Sequence, residues 1–421
     1  MNEFAAYVGW DWADREHQVS LREVGRVGVE ASCVKGTPEE LHGWASKTLA
    51  RYGGRQIAVA IDAGRGAVIS AFLGYPHIVI YPINPKSAAD LRKALYPSGK
   101  KDDPIDSEML LEMVEKHCDR LRPLKPADVM TRELVMLTEH RRKLDNDRKR
   151  EINRLRDALK SYYPQVLELF EELSTLMVFD FLDRWSSLEV LKRAHESTIT
   201  AFFRQHNSRS NVQIEARLSV IRAAVRLTDD AALVRSGAIR VRSLVLVLRA
   251  LVEAIASVDR DIATTYAAHP EHDLIDSFAG LGSVLGPRMA AVLGCDRERF
   301  ENAEALQRMT GVAPVTMRTG GREGTISVHR RLRRSKFMHQ TLVEWAHCSL
   351  PHCAWAKAYY DMKKEQNPNL RHYTIMRAIA FKWLRIIYRC WADGTLYDEK
   401  KYLTELARRG APLAKRLAAA A

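Results

Sequence analysis

Apolar and polar positions alternate through the first part of the chain. Tyr7-Val8-Gly9-Trp10-Asp11-Trp12 is an apolar run broken by one aspartate, Gln18-Val19-Ser20-Leu21 alternates, and Val27 to Val34 has strand character. Turn-like breaks separate the three segments, which predicts a short meander of strands. Thr37-Pro38-Glu39-Glu40 has the composition of a helix start, with Thr37 at the N-cap, Pro38 at the first helical position and Glu40 three residues past the cap. Apolar residues continue at helical spacing to Leu49, and Gly53-Gly54 closes the helix. Ile57-Ala58-Val59-Ala60-Ile61 is continuously apolar, as expected of a strand covered on both faces. A helix over Ala67 to Leu73 and a second strand of this kind, His77 to Tyr81, follow. A meander followed by alternating helix and strand predicts a mixed sheet with covered faces.

The pattern then becomes helical. Between Asp128 and Leu169, the residues Leu134, Leu137, Leu144, Ile152, Leu155, Leu159 and Tyr162 step mostly by three and four, a stripe of coiled-coil type. Arg141 and Arg148 interrupt it. A second stripe runs through Val241, Leu244, Leu248, Leu251, Ile255, Val258 and Ile262. Two such stripes suit either an antiparallel helical hairpin or a dimerising coiled coil. Asn207 to Asn211 forms a loop between them. From Phe278 to Ala290, the glycines Gly280, Gly282 and Gly286 give the look of a helix-hairpin-helix turn, whose exposed N–H groups can hold a phosphate. A plain tight turn reads equally well. Phe337 to Trp391 is helical and aromatic-rich, mostly core. Three regions result: 1–125, mixed α/β; 126–268, helical; and 269–421, mainly helical.

Composition changes this picture in three ways. A length of 421 residues suits two or three domains, and a hydrophobic fraction of 46% excludes global disorder. The 65 Lys and Arg outnumber the 52 Asp and Glu, leaving +13, so a polyanion such as nucleic acid is the expected partner. The six cysteines are too sparse for a disulfide framework and fit a reducing cytoplasm. The start Met-Asn-Glu-Phe lacks the features of a signal peptide. No uncharged apolar stretch reaches the length of a membrane span, so no membrane partner is expected.

Four aspartates form the first chemical constellation. Asp11 interrupts the first strand, Asp62 directly follows the buried-type strand, and Asp103 and Asp106 open a helix in Lys101-Asp102-Asp103-Pro104-Ile105-Asp106. A carboxylate at the end of a buried strand is costly without a partner. Residues three apart share a helix face, so all four can converge if that helix begins against the strand ends. Converging hard oxygens select Mg²⁺, and paired cations suit in-line attack at phosphate. An acidic first helical turn with two surface aspartates fits the same residues. The second constellation is Pro314 to Gly324 followed by His329 to Lys336. Thr319 precedes Gly320-Gly321, and Arg318, Arg322, Arg330, Arg331, Arg333, Arg334 and Lys336 flank it. Arginines can grip phosphate bidentately while a hydroxyl attacks it. A basic turn between elements also fits. His347-Cys348 with His352-Cys353 lacks zinc-site spacing.

These motifs resemble the insertion-sequence-110 family, the DEDD transposases. The resemblance rests on Tyr7 to Ala13, the strand ending at Asp62, and Lys101 to Asp106. It continues in Gly311-Val312-Ala313-Pro314-Val315-Thr316, Thr319-Gly320, Lys336 to Gln340 with Glu344-Trp345-Ala346, Trp355 to Tyr360, Ala380 to Ile386 and Tyr397-Asp398-Glu399. It implies an RNase H-like (RuvC-like) domain over 1–125, a coiled-coil middle over 126–268 and a transposase domain over 269–421. It further implies Mg²⁺ at Asp11, Asp62, Asp103 and Asp106, and a hydroxyl nucleophile that forms a covalent 5′-phospho link to DNA. Members of the family are thought to use a structured non-coding RNA encoded by the element, which pairs with target and donor DNA. Two positions depart from the family pattern. Asp62 stands where the family has glutamate, and Thr319 where it has the serine before glycine; Ser327 and Ser335 are nearby hydroxyls outside the motif.

The resulting expectation is a bacterial, cytoplasmic, nucleoid-associated DNA recombinase, acting as a dimer or tetramer because strand exchange needs several strands held together. A Holliday-junction-type endonuclease would use the aspartates alone and form no covalent adduct. An inactive copy would only bind nucleic acid.

Overall fold

The computed structural model describes residues 4–62, 66–95, 103–208, 210–319, 325–329, 331 and 334–420. The chain divides into two compact units, Met1–Pro126 and Ala127–Ala421.

The first unit is built on a five-stranded sheet in the order β3-β2-β1-β4-β5. Its elements are β1 (Ala6–Asp11), β2 (Glu16–Glu23), β3 (Glu30–Lys35), α1 (Pro38–Tyr52), β4 (Ile57–Ile61), α2 (Ala67–Phe72), β5 (Ile78–Pro82), α3 (Pro85–Leu95) and α4 (Asp103–His117). The first three strands form the antiparallel meander that the alternation predicts; β4 and β5 run parallel to β1. Thr37 takes the N-cap of α1 and Gly53, left-handed at φ 59°, closes it.

Side-chain parity sorts the sheet into two unlike faces, because successive strand residues point to opposite sides. Val8 and Trp10 of β1, Ile57, Val59 and Ile61 of β4, and Ile78 and Ile80 of β5 face one cluster with α1 and α2. There the Trp10 ring meets Trp44 and Phe72 edge-on, with centroids 5.0 and 5.1 Å away. The opposite parity carries small residues, Gly9, Ala58 and Ala60, and this face receives Met109, Leu110 and Val114 of α4. A Cβ on Gly9 would lie 1.9 Å from the Ser107 carbonyl oxygen and 2.4 Å from the Leu111 nitrogen. Helix backbone therefore rests directly on strand backbone at Gly9. Beside it, the buried Ser107 and Ser20 hydroxyls are hydrogen-bonded at 2.8 Å, and Ser20 is the register partner of Gly9 on β2.

The second unit contains α5 (Val129–Tyr162), the short helices α6 (Val166–Leu169), α7 (Leu176–Arg184), α8 (Leu188–Lys192), α9 (Glu196–Gln205) and α10 (Asn211–Ala223), then α11 (Ala231–Ala267). It continues through α12 (His272–Asp276), α13 (Gly282–Leu293), α14 (Ala303–Thr310), β6 (Val315–Thr319), β7 (Thr325–His329), α15 (Lys336–Cys348), α16 (Ala354–Gln366), α17 (His372–Asp393), α18 (Glu399–Arg408) and α19 (Pro412–Ala420). The two long helices lie antiparallel. Arg141 of α5 pairs with Asp259 of α11 at 2.9 Å, while Arg240 of α11 pairs with Asp157 of α5 at 3.4 Å. The arginines that interrupt the apolar stripe are thus accounted for: Arg141 bridges the helices, and Arg148 pairs with Asp145 at 2.8 Å and donates to the Ser174 hydroxyl.

One end of the helix pair is packed by α6 to α10, the other by the helices after residue 270. In the latter core four tryptophans are fully buried, and each indole N–H has an acceptor, as buried polar groups require. Trp345 donates to the Ala279 carbonyl (3.0 Å), Trp355 to the Tyr397 hydroxyl (3.0 Å), Trp383 to the Ser349 hydroxyl (3.0 Å) and Trp391 to the Gly294 carbonyl (2.9 Å). No described helix is long and apolar enough to cross a membrane.

The contact at Gly9 yields a test. Gly9→Ala places a methyl against backbone that cannot rotate away, and is expected to cost roughly 2–3 kcal/mol of stability. Shortening Ser107 to glycine should not rescue it, since the clash is with main chain. A denaturant midpoint equal to the wild type would show that α4 can stand off the strand.

Candidate active site

Parity and the parallel pairing of β1 with β4 place two of the four aspartates. Trp10 pairs with Ile61, so Asp11 ends β1 beside Asp62, which directly follows β4. Both continue the parity of Gly9, Ala58 and Ala60, the face covered by α4. Asp106 lies in the first turn of α4, one residue before the Ser107 that rests on Gly9. It is 4% exposed. Its Oδ2 accepts from Arg92 of α3 at 2.5 Å, while Oδ1 is buried without a hydrogen-bond partner among the described residues. Asp103 begins α4, but its side chain lies outside the described residues.

The electrostatics are those of anions drawn together. Burial, the larger cause, and the negative charge of Asp106 push the half-buried Asp62 carboxyl above its ordinary pKa; the N–H of Trp12 and Asp62's own N–H, with Arg92, act the other way. The Trp12 bond ties the short Asp62 side chain to the end of β1. A buried carboxylate oxygen without a donor, beside a carboxyl that resists ionisation, is a donor set suited to a hard cation. Arg92 supplies part of that positive charge. Sequence reading did not find Arg92, because nothing local links α3 to the aspartates.

The described part of the second constellation contains a pair of strands. β6 and β7 pair antiparallel, with Val315 opposite His329, Met317 opposite Ser327 and Thr319 opposite Thr325. Thr319 is the last residue of β6. The side chains of Arg318 and Thr319, and residues Gly320, Gly321, Arg322, Arg330 and Arg333, lie outside the described residues. Arg334 packs its side chain over Gly311, which is left-handed at φ 71°, and donates to the Arg331 carbonyl. Lys336 is exposed at the start of α15. Of the alternative hydroxyls, Ser335 caps α15 by accepting from the Met338 N–H at 3.3 Å, whereas Ser327 is hydrogen-bonded to His329 Nε2 at 2.8 Å.

Comparison with known proteins places these two segments in one family. The sequence model of the DEDD transposases of the IS110 type matches residues 8–164, and that of the transposase IS116/IS110/IS902 family matches residues 272–361. The chain belongs to the IS110 family of transposases. It is 25% identical to a protein described as the candidate transposase of the IS117 mini-circle of Streptomyces coelicolor, over 97% of this chain and 99% of that one. It is 24% identical to a protein of insertion element IS116 of Streptomyces clavuligerus, over 84% of this chain and 86% of the relative. It is also 24% identical to a protein of insertion element IS900 of Mycobacterium paratuberculosis, with the same coverage of 84% and 86%. Membership carries a DNA-processing role.

Three further clusters in this transposase serve packing and internal hydrogen bonding. The glycine-rich turn joins the five-residue α12 to α13, with Gly280 and Gly282 at φ 82° and 46°. A Cβ on Gly280 would lie 2.8 Å from the Cys348–Ser349 backbone, so this glycine is required by packing. Cys353 donates to Glu399, and burial pushes its thiol up to about 12, away from the thiolate that zinc needs. A group unforeseen from sequence joins Asp128, His269 and Cys295, which offer ligand-type atoms within 4.8 Å of one another. Its hydrogen bonds decide its role. His269 Nδ1 accepts the Glu271 N–H at 3.2 Å, so the neutral ring carries its proton on Nε2, which donates to Thr131 Oγ1 at 3.0 Å. Thr131 donates in turn to Asp128 Oδ2 at 2.6 Å. Burial lowers the pKa of His269 and pushes the Cys295 thiol up to about 11. The trio is a closed hydrogen-bond chain that ties the N-terminus of α5 to the segment after α11.

The raised Asp62 pKa sets a pH dependence. The folded state holds this proton more tightly than the unfolded chain does, so ionisation works against folding as pH rises through the window above the ordinary carboxylate pKa. Without divalent cations, Asp62→Asn is expected to raise thermal stability at neutral pH by a few degrees, about 1 kcal/mol. Melts between about pH 4 and 8 check this: a wild-type minus variant difference that does not change with pH would refute it.

Proposed function

We propose that this transposase cuts and exchanges DNA strands through a covalent protein–DNA intermediate. Asp11, Asp62, Asp103 and Asp106, on an RNase H-like (RuvC-like) unit, would hold Mg²⁺. The bound cation would supply Lewis-acid polarisation of a phosphoryl oxygen and offset charge at the phosphate. What supports this assignment is the buried, unpartnered Oδ1 of Asp106, on the sheet face that Asp11 and Asp62 share. Arg92 holds Asp106 in place through its Oδ2.

Thr319 acts as the nucleophile in this reading. Its hydroxyl loses a proton and its oxygen bonds to phosphorus, while the bond to the 3′ oxygen breaks. The 3′ oxygen takes up a proton, leaving a 3′-hydroxyl end and a 5′-phospho-threonyl link. Attack of a second strand's 3′-hydroxyl on that link regenerates Thr319 and completes exchange. Arg318, Arg322, Arg330, Arg331, Arg333, Arg334 and Lys336 offset phosphate charge along the strand. The methyl group of threonine restricts χ1 compared with serine, so this nucleophile is slower than the family's serine. Ser327 is the competing hydroxyl, favoured by its hydrogen bond to His329, which could take its proton.

The net charge of +13 suits a second polyanion, an element-encoded structured RNA that pairs with target and donor DNA. Holding several strands suits a dimer or tetramer. The long antiparallel helices α5 and α11 would form the coiled-coil domain over 126–268, lying in sequence between the carboxylate domain over 1–125 and the nucleophile domain over 269–421.

A denaturing-gel assay with labelled element-end DNA, Mg²⁺ and co-purified RNA tests the chemistry. The wild type is expected to form a covalent adduct, Thr319→Ala to lose it by at least ~10³-fold, and Thr319→Ser to form it faster. Asp11→Ala should abolish cleavage while leaving DNA binding intact. An adduct that persists in Thr319→Ala and disappears in Ser327→Ala would move the nucleophile to β7. Cleavage without any adduct would leave a junction endonuclease, and binding without cleavage an inactive copy.

A further inference from the structure

The described residues of the second unit contain a basic cavity, part of whose lining (Pro314, Tyr359, Phe381, Lys382 and Arg385) falls in the segments that carry the family resemblance. It has a volume of about 460 Å³ and lies between the base of the β6–β7 hairpin and one face of α17. Thr374, Arg377, Ala378, Phe381, Lys382 and Arg385 line it from α17. Their spacing of three, four, seven, eight and eleven residues is that of one helical stripe. Ala378 and Phe381 supply an apolar floor and the cations surround it. His329 and Arg331 close the hairpin side.

The charges in this cavity lack the compensation that Arg141, Arg148 and Arg240 have in α5 and α11, where each pairs with an aspartate. Among the described residues, no carboxylate forms an ion pair with Arg331, Arg377, Lys382 or Arg385. Arg331 Nε is buried with no hydrogen-bond partner among the described residues. The Lys382 ammonium lies 4.8 Å from the centroid of the Tyr359 ring, which also lines the cavity. Burial, then Arg385 and Lys363, lower the Lys382 pKa, and Arg377 with Arg334 adds to the burial that lowers that of His339. Gathering like charges without a counter-ion is unfavourable, and an anionic ligand removes that cost. Two arginine forks and a lysine around an apolar floor match a phosphodiester, with charge for the phosphate and a non-polar surface for the sugar or base edge.

We propose that this cavity seats a backbone phosphate of a nucleic-acid strand, with Arg377, Lys382 and Arg385 as its binding residues. The assignment rests on the reading of the chain as a recombinase and extends it. His329 pairs with Val315, and Thr319 lies four residues further along β6. At ~3.3 Å per residue this is ~13 Å, or about four nucleotides at ~3.4 Å of rise each. A strand seated in the cavity is thereby held in register about four nucleotides from the threonine proposed to cut it, so these residues position the substrate.

The test is fluorescence anisotropy of the full chain with a labelled single-stranded DNA 20-mer, and with an RNA of the same sequence, across a KCl titration. Losing two phosphate contacts in Arg377→Gln/Lys382→Gln should weaken binding about tenfold near 0.1 M salt and flatten the log–log salt slope by about 1.4. Arg377→Lys/Lys382→Arg should retain the slope. Arg385→Gln, at an exposed position, should flatten it by about 0.7. Loss on both nucleic acids assigns the seat to the shared backbone, and loss on one assigns it to that strand type. Wild-type affinity and slope in both the double variant and Arg385→Gln would overturn the proposal. Thr319→Ala provides the separation from the recombinase reading: it should leave the slope unchanged. A flattened slope in a protein that forms no adduct would keep the seat and remove the nucleophile. Adduct formation with unaltered slopes would do the reverse.

Discussion

The approach of α4 to β1 at Gly9 organises the first unit. A helix can rest its backbone on a strand only where the strand offers no side chain, and the 1.9 Å that a Cβ would leave to the Ser107 oxygen shows how little room there is. Ala58 and Ala60 extend the same shallow surface across β4, while the bulky residues of both strands point the other way, to Trp44 and Phe72. The Ser20–Ser107 hydrogen bond fixes the helix in register along the sheet. With Ser107 set over Gly9, Asp106 is brought to the end of the sheet where Asp11 and Asp62 stand. Position of the carboxylates and packing of the core are therefore one constraint.

The two units hold opposite electrostatic strain. The first gathers carboxylates at a half-buried sheet end, where Arg92 compensates one oxygen and leaves another without a donor. The second gathers the charges of Arg377, Lys382 and Arg385 on one stripe of α17 without a described carboxylate to pair them. Each arrangement costs free energy in the isolated chain and gains it back with a ligand of the opposite sign, a cation in one case and a phosphate in the other. For a protein proposed to act on phosphodiesters, this stored strain is the usual signature of a site rather than of a scaffold. The Asp128–Thr131–His269–Cys295 chain is the instructive contrast: its ligand-type atoms are close together, but its hydrogen bonds are satisfied from one end to the other.

Much of the architecture is legible without coordinates. The alternation of β2, the continuous apolar runs of β4 and β5, and the Thr37 to Gly53 boundaries of α1 are local signals, and they appear in the structure as elements of those types. The long stripes of α5 and α11 are equally plain. The stretch from Pro314 to His329 is less so: two short strands around a glycine-rich segment have too few alternating positions to separate a hairpin from a loop. The residues that hold the candidate sites were harder still. Arg92 and Ser107 matter through contacts with β1 and with Asp106, and α17 looks from its aromatic content like a core helix, which on its Trp383 and Trp391 face it is.

By itself, then, the sequence determined the element types, the helical and mixed segments, the excess of positive charge and the motifs that mark the family. Those properties depend on neighbours in the chain, on periodicity and on composition. Tertiary structure alone decided which carboxylate is buried and lacks a donor, which arginine accompanies it, and which cations of α17 share a cavity with the hairpin. Those depend on desolvation and on distances between segments far apart in sequence. Burial turns an ordinary aspartate or lysine into a group with a strong need for a partner, and burial is a property of the packed chain.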